Sequence, residues 1–461
     1  MNSRIKHVSV GLSAFCLMVV SGSATATNGY FTHGVGAESK GMAGTGIGSD
    51  SAHGPIIAAS NPALAVFAED NWEVGLSAFS PRRDYEAIGG FQGNFGALSV
   101  GTGSFESSSE WFPIPYVAKN WRWGEDKTIS FLFYGRGGMN TDWDDPNTVA
   151  YFDPTGLGGA GVEFPGVFGA GKAGVDLSQA FVAINFAGKA GDNFAWGIGP
   201  VFAVQMFEAN GLANFAPYTK TYIETFLGTG VPGNPTSLTN NGHDTSTGYG
   251  ASAGIWWAMS DAVSAGLSYQ SKMSMSEFDD YSDLYAESGG FDIPASAKIG
   301  ISFQGSNDVR LNFDIERTEF SDVASVGNPM INFLDCPSLG GADIESCLGG
   351  TNGPGFGWED MTTYKFGIEW TPSDSQTYRF GYSYGEQPIQ EADVLFNILA
   401  PGVMEQHLTF GMTKRKANGG AWNFSLMYAP KKTVTGVSMF DPGQTIELKM
   451  SQFELEVSYL W

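Results

Sequence analysis

Charged residues, basic residues and cysteines are all scarce in this sequence. Charged residues make up 16% of its 461 residues, whereas ordinary soluble domains contain about 25%. The 24 Lys and Arg are outnumbered by 48 Asp and Glu, which gives a net charge of -24. This balance excludes the basic footprint that a nucleic-acid-binding protein needs. Three cysteines are too few for a disulfide-rich scaffold.

Long apolar runs are missing from most of the chain. Beyond residue 26, no window offers the roughly 18 consecutive apolar residues that a transmembrane helix needs. Aromatic residues nevertheless reach 14% and glycine accounts for 63 residues, so the chain is too aromatic to be disordered. If this chain crosses a bilayer, a closed β-barrel is the remaining way to do so.

The first 26 residues have the features of a secretory signal peptide. Arg4 and Lys6 form a basic start, residues 8–20 are apolar, and Ala24-Thr25-Ala26 is a small-x-small cleavage site. The apolar stretch is too short to be a membrane anchor. We therefore expect export, with cleavage near Ala26.

The last ten residues predict the clearest strand. Apolar side chains occupy every second position and polar ones lie between them, so one face suits lipid and the other suits a polar interior. The chain ends on Trp461, like bacterial outer-membrane barrels whose assembly machinery recognises a terminal aromatic residue. Thirteen earlier segments repeat the pattern, at residues 72–78, 111–118, 129–134, 182–186, 194–198, 255–257, 263–269, 295–303, 311–315, 364–370, 378–384, 408–412 and 422–428.

Fourteen strands is an even number, as single-chain bacterial barrels require. The connections between them alternate in length. Short ones are predicted at 120–126, 188–193, 260–262, 304–308, 371–376 and 414–420, and long ones include 80–110, 137–175, 207–247, 318–360 and 385–405. Short periplasmic turns and long external loops are the barrel rule. The predicted fold is an all-β, 14-stranded antiparallel transmembrane barrel at residues 71–461.

Residues 27–70 precede the first strand and are rich in glycine and small side chains. The segment is too polar to face lipid and too long for a simple lead-in. A plug, or hatch, inside the barrel explains both properties, because small residues allow the backbone to approach the wall closely. A flexible periplasmic arm is the alternative.

These features together resemble the FadL family of outer-membrane transporters for long-chain fatty acids and other hydrophobic compounds. The plug contains Gly41, Gly44 and Gly46 within Gly-Met-Ala-Gly-Thr-Gly, and then Asn61-Pro62-Ala63 before the first strand. That Asn-Pro-Ala element is the hatch hallmark of the family. The stretch from Gly381 to Gly411 is also similar, so the resemblance covers the mature chain.

The resemblance implies a mechanism. A hydrophobic molecule first lodges in an apolar groove among the external loops and then moves to a lumenal pocket beside the hatch. It leaves sideways through a gap at a kinked third strand. Tyr30 and Phe31 would reach the pocket, or else pack within the plug. Gly135, Gly137 and Gly138 could bend the third strand, or simply end it.

The external groove is expected in two apolar clusters. An amphipathic helix is predicted to end at Gly228, and the second cluster lies between two later strands. Their candidate groove residues are Tyr218, Tyr222, Ile223, Phe226, Leu227, Leu395, Phe396 and Leu399. Packing between loops is the alternative role for these side chains.

One departure from the family concerns charge. Fatty-acid carriers of this family place basic side chains in the pocket to hold the carboxylate, but Lys40 is the only base in this plug. The pocket is therefore open to a neutral hydrophobic molecule, with or instead of a fatty acid.

Cys336 and Cys347 lie in one long loop, and the oxidising export route predicts a disulfide between them. The four histidines of the mature chain are too scattered for a metal site, and the Gly-x-Ser-x-Gly at residues 250–254 lies in a strand instead of a strand-to-helix turn. We expect no cofactor and no enzyme activity. A general porin, a surface adhesin and a barrel enzyme are the rival readings.

The expected partners follow from this reading. They are a hydrophobic small molecule, outer-membrane lipid with lipopolysaccharide, and the barrel assembly machinery at Trp461. The chain is expected to act as a monomer in the outer membrane of a Gram-negative bacterium, without binding nucleic acid.

Overall fold

The computed structural model describes residues 28–51, 54–94, 98–153, 161–417 and 419–461. The expected signal peptide lies outside the described residues. Fourteen long strands form one closed antiparallel sheet, which confirms the predicted barrel. They are β1 Trp72–Gly89, β2 Phe112–Arg122, β3 Lys127–Trp143, β4 Ala173–Lys189, β5 Phe194–Asn210, β6 Asp244–Ser260, β7 Val263–Gln270, β8 Ser296–Ser306, β9 Val309–Thr318, β10 Met361–Ser373, β11 Gln376–Gly385, β12 Gln406–Arg415, β13 Ala421–Val437 and β14 Gln444–Leu460.

The barrel closes between its first and last strands. The pairing of β1 with β14 runs from Glu73 opposite Leu460 to Gly89 opposite Gln444. Closure removes the sheet edges, so the backbone N–H and C=O groups of each strand find partners within the sheet. This requirement explains why the chain ends in a strand that pairs with the first one.

Side chains alternate across the wall as the sequence pattern predicts. In β14, Phe453 and Leu455 are 43% and 40% exposed on the outside, whereas Glu454 and Glu456 are each 1% exposed on the inside. Trp residues gather at the strand ends nearest the short turns, as in an interfacial girdle. They are Trp72, Trp121, Trp123, Trp196, Trp257, Trp370, Trp422 and Trp461.

The strands are longer than the sequence pattern indicated. Strand β1 has 18 residues, and β3 to β6, β13 and β14 each have 17, although about 9–11 are enough to cross a bilayer. The predicted loop 80–110 therefore begins inside β1. Above the lipid a strand no longer needs an apolar outer face, so its period-two signal fades there.

The turns join the strands at one end, at residues 123–126, 190–193, 261–262, 307–308, 374–375 and 416–420. The opposite end carries the long loops 90–111, 144–172, 211–243, 271–295, 319–360 and 386–405, and one short connection, 438–443. Loop 271–295 was missing from the predicted long connections.

The external loops contain short elements that pack into a cap. Helix α1 spans Lys220–Thr229 and ends at left-handed Gly230, two residues after the predicted Gly228. Short strands lie at Ser99–Val100, Gly103–Glu106, Val149–Phe152, Val162–Pro165 and Ser274–Met275. Short helical turns lie at Ala213–Tyr218, Asp279–Tyr281, Ala286–Gly289, Phe320–Asp322, Ala324–Gly327, Met330–Asp335, Pro337–Leu339, Ile344–Ser346, Glu391–Asp393 and Phe396–Ile398. None of the helices in the described residues is long and apolar enough to cross a membrane.

A charge on the lipid face should cost most near the middle of a strand. Ile301 is 44% exposed on the outer face of β8, and Phe303 lies on the same face nearer the turn. We expect Ile301→Arg to lower the free energy of unfolding in lipid vesicles by about 2–4 kcal/mol. Phe303→Arg is the positional control and should cost less. Equal costs would contradict the assigned membrane level.

Candidate functional site

The described part of segment 28–70 packs against opposite sides of the inner wall. It forms three short turns, Ala37–Lys40, Pro55–Ala59 and Pro62–Val66. The first contacts β12, β13 and β14, and the third contacts β4, β5 and β6. Most of its residues are buried. The segment therefore fills the lumen between two sides of the barrel.

Asn61 joins two parts of this segment to the wall. Its side-chain oxygen accepts a hydrogen bond from the Ala63 N–H at 3.0 Å and caps the turn that Pro62 begins. Its amide nitrogen donates to the carbonyls of Ile47, at 2.9 Å, and Ile255 of β6, at 3.1 Å. Asn61 and Ala63 are both fully buried. One side chain thus satisfies three backbone groups.

The glycines of the predicted hatch motif allow close contacts between backbones and backbone conformations with positive φ. A Cβ on Gly41 would lie 2.8 Å from the Cα of Gly411 in β12, so the two backbones meet without side chains between them. Gly44 has φ +81°, and a Cβ there would lie 1.9 Å from the carbonyl oxygen of His33. Gly46 also has positive φ, at +105°.

Ion pairs attach the segment to the wall at several levels. Lys40 Nζ lies 2.5 Å from Glu454 and 2.6 Å from Glu456, both on β14. At another level, Arg310 of β9 lies 2.5 Å from Asp50. These pairs are deeply or partly buried, and removing one partner would leave a costly charge behind.

The third strand is irregular where the sequence predicted a bend. A bulge between Gly135 and Gly137 shifts the register of β3 against β4. Strand β2 pairs with β3 only as far as Tyr116 opposite Tyr134. Beyond that point β3 has no β2 partner, and a gap opens between the two strands.

The N-terminal residues of the segment cover this gap from inside. The N–H of Thr32 donates to the carbonyl of Arg136 at 2.8 Å, and the N–H of Gly138 donates to the carbonyl of Tyr30 at 3.1 Å. Phe31 forms a bridge with Gly137. Segment 30–32 thus forms hydrogen bonds with backbone groups of β3 that do not pair with β2.

An apolar, partly open cavity lies under the external loops. It is lined by Phe168, Val175, Phe207, Leu212, Phe215, Leu284, Tyr285, Ser325, Leu348, Pro354, Gly355, Phe356, Phe396 and Leu399. Among these described lining residues none is acidic, basic or histidine. Burial raises the pKa of Tyr285 well above its usual value, so its hydroxyl stays neutral.

A second, smaller cavity lies beside the first and reaches the bend of β3. Tyr30 and Trp358 line it together with Gly138 and Met139 of β3. The Tyr30 ring lies 5.8 Å from Trp358 and 4.7 Å from Phe31. Arg83 also lines this cavity, but its guanidinium donates to the carbonyls of Asn140 and Ser109.

A buried polar network fixes the indole that borders the second cavity. Trp358 Nε1 donates to Asn397 Oδ1 at 2.7 Å, and Asn397 in turn donates to the carbonyls of Phe356 and Asp393. Burial raises the pKa of Asp393, although the Met330 N–H donating to it acts in the opposite direction.

The predicted groove residues do not form one surface. Phe396 and Leu399 line the apolar cavity, while Leu395 is buried elsewhere in the same core. Tyr218 precedes α1 and packs on Phe333. Tyr222 and Ile223 pack near the cysteines. Phe226 and Leu227, 47% and 69% exposed, remain at the outer surface.

Cys336 and Cys347 are disulfide-bonded, with Cα atoms 4.9 Å apart. The bonded loop holds the start of α1: Leu348 N–H donates to the carbonyl of Tyr218, and Lys220 N–H donates to the carbonyl of Leu348. Lys220 Nζ also lies 2.6 Å from Glu345 and holds the pKa of that carboxyl below its usual value.

Several residues around the cavities escaped the sequence patterns. Phe207, Phe215, Tyr285 and Trp358 come from a strand end and three loops, where no periodicity marks an inward side chain. The aromatic residues of loop 271–295 were a usable signal. In the described residues no cluster of three or more His, Cys, Asp or Glu could hold a metal ion.

The architecture is a β-barrel whose N-terminal segment packs against opposite sides of the inner wall and whose external loops contain an apolar cavity. A family model described as outer membrane protein transport protein (OMPP1/FadL/TodX) matches residues 159–413. The chain belongs to this family of outer-membrane channels for hydrophobic compounds. Its members are transporter channels of the bacterial outer membrane.

Solved structures of several relatives share the fold. The Pseudomonas putida toluene transporter TodX matches with a TM-score of 0.62 at 16% identity, over 93% of this chain and 98% of that one. A Pseudomonas aeruginosa FadL homologue matches with a TM-score of 0.60 at 16% identity, over 94% and 99%. The Ralstonia pickettii toluene transporter TbuX gives 0.54 at 16% identity, over 93% and 98%. No curated protein matches the sequence.

Replacing Asn61 should loosen the lumenal segment locally. Asn61→Ala removes the donors to Ile47 and Ile255, and each buried carbonyl left unpaired costs about 1–3 kcal/mol. We expect faster hydrogen exchange in residues 44–66. Asn71→Ala is the control, because the Asn71 side chain donates to Glu69 in a partly buried position. Unchanged exchange in the Asn61 variant would contradict this role.

Proposed function

We propose that this protein takes up hydrophobic compounds through the outer membrane by lateral exit from its barrel. The observation that carries the proposal is the pair of neighbouring cavities. One is an apolar chamber under the loops, and the other leads from Tyr30 to the gap beside β3. A lipid-like solute following this route would avoid crossing the charged outer leaflet as a free molecule.

The route we propose has three stages. A solute first meets exposed apolar side chains of the loops, including Phe226 and Leu227. It then enters the apolar chamber, where each buried CH₂ contributes about 0.8 kcal/mol. Displacement of segment 30–32 would next open the gap between β2 and β3. Residues 27–70 act as the hatch in this scheme, and residues 71–461 form the barrel.

We further propose that neutral molecules are the preferred cargo. The lining of the chamber carries no basic side chain among its described residues, so a carboxylate would enter it unpaired, which is costly. The charge of the external loops also favours neutral molecules, because loop 319–360 contains seven acidic residues and no basic one. Such a field repels anionic solutes before they reach the chamber.

Rival functions fit the contacts less well. A general porin needs an open aqueous lumen, whereas residues 28–70 fill this one. An adhesin would need the loops but neither the cavities nor the cover over the gap. The apolar chamber therefore favours uptake of hydrophobic compounds over both alternatives.

Filling the chamber should reduce uptake. Leu399 lines it, so Leu399→Trp removes space from the proposed route. We expect at least a severalfold drop in uptake of a labelled neutral hydrocarbon by a deletion strain expressing this variant. Ile331→Trp is the matched control, because Ile331 is 57% exposed on the loop surface. Equal uptake by the Leu399 variant and wild type would argue against the chamber as the route.

A matched pair of solutes tests the head group. A long-chain fatty acid and the primary alcohol of the same chain length share their tail, but at neutral pH the acid ends in a charged carboxylate and the alcohol in an uncharged hydroxyl. We expect faster channel-dependent uptake of the alcohol, and faster uptake of the acid as the pH falls and its carboxyl is protonated. Preference for the ionised acid would overturn the neutral-cargo proposal while leaving hydrophobic uptake itself intact.

A further inference from the structure

Arg136 occupies the bulged position of β3, and its side chain reaches strands four to six places further round the barrel. Its Nη1 donates to Gln270 Oε1 of β7 at 2.5 Å, and its Nη2 donates to Ser296 Oγ of β8 at 3.0 Å. The same Nη2 lies 3.6 Å from Glu316 of β9. The planar guanidinium thus ties the irregular strand to the wall across the lumen.

The same residue holds the N-terminal segment in two ways. Its carbonyl accepts the Thr32 N–H, and its guanidinium carbon lies 4.7 Å from the centre of the Phe31 ring. A cation over an aromatic face is attracted to the ring, more strongly when water is excluded. Arg136 is 6% exposed and Phe31 is 2% exposed. The contact is therefore shielded from solvent.

Neutralising Glu316 does not explain why an arginine stands here. Glu316 lies 3.1 Å from Lys298 and 2.7 Å from Lys365, so it keeps two basic partners if Arg136 is removed. The arginine also has the longest of these three contacts to that carboxylate. Its shorter contacts are to neutral side chains, which fix its direction and place it under Phe31.

We propose that Arg136 is the positioning residue that holds segment 28–32 over the gap between β2 and β3. Its guanidinium donates to side chains of β7 and β8, its carbonyl accepts the Thr32 N–H, and its charge attracts the ring of Phe31. The gap stays covered until Phe31 is displaced. This inference rests on the proposed function, in which the gap is the exit for the transported molecule.

Hydrogen exchange of the full-length protein in lipid nanodiscs, without any solute, tests the contact directly. We expect Arg136→Gln to speed exchange about tenfold or more in residues 28–33 and 136–139, because charged hydrogen bonds and the ring contact are lost there. Exchange in β12 to β14 should not change. No local change, or an equal increase in all strands, would overturn the assignment.

Arg310→Gln is the matched control for this experiment. Arg310 is also a lumenal arginine bonded to the N-terminal segment, through Ser49 and Asp50. Its loss should affect exchange near residues 47–51 and leave residues 28–33 as in wild type. Faster exchange at 28–33 in this variant would mean that any lumenal charge loosens the segment, and would overturn a specific role for Arg136.

Conservative variants test whether Arg136 acts through the geometry of its guanidinium or only through its charge. Arg136→Lys keeps the charge but cannot hold Gln270 and Ser296 with one planar fork, so we expect an intermediate exchange rate. Phe31→Tyr keeps the aromatic face and should behave as wild type, whereas Phe31→Leu should resemble Arg136→Gln. Wild-type exchange in Phe31→Leu would overturn the contribution of the ring.

Uptake measurements distinguish this inference from the proposed function. If wild-type protein takes up no hydrophobic solute yet Arg136→Gln frees segment 28–32, the proposed function fails and the positioning role stands. If wild type does take up such solutes and Arg136→Gln leaves both uptake and exchange unchanged, the positioning role fails alone.

Discussion

The need to satisfy backbone hydrogen bonds inside a bilayer governs this structure. Closing fourteen strands through the pairing of β1 and β14 meets that need for the wall. Closure also creates a polar inner face, where buried groups such as Glu454 and Glu456 require partners of their own. Segment 28–70 supplies some of them, beginning with Lys40. The N-terminal segment and the wall therefore share buried ion pairs.

The pairing of β2 with β3 is interrupted where the second cavity meets the wall. Strand β2 stops pairing with β3 at Tyr116, and a bulge at residues 135–137 shifts the register of β3 against β4. The freed backbone groups of β3 do not face lipid unpaired, because Tyr30 and Thr32 bond to them. A contact of two hydrogen bonds is far weaker than a full strand ladder. It can close the wall and still be displaced.

The wall could be predicted from the sequence because contact with lipid requires an apolar side chain at every second position of a strand. A residue such as Phe453 must be apolar and its neighbour Glu454 need not be, so the period-two signal identified all fourteen strands. The bounds were less predictable, since β1 and β13 continue above the lipid, where that demand ends. In the predicted hatch motif, the Asn61 side chain bonds three backbone groups.

Lipid imposes no regular apolar pattern on the external loops, so the chamber beneath them could not be predicted from the sequence. Phe215 and Phe396 come from distant loops, yet their rings lie 5.5 Å apart. The candidate groove residues are divided among the chamber, other buried contacts of the loops and the surface. Spacing along the chain cannot predict such contacts between distant loops. The scarcity of basic residues was visible in the sequence, because Lys40 is the only base in residues 27–70. The acidic loop 319–360 and the uncharged lining of the chamber are the two features on which the proposed preference for neutral cargo rests.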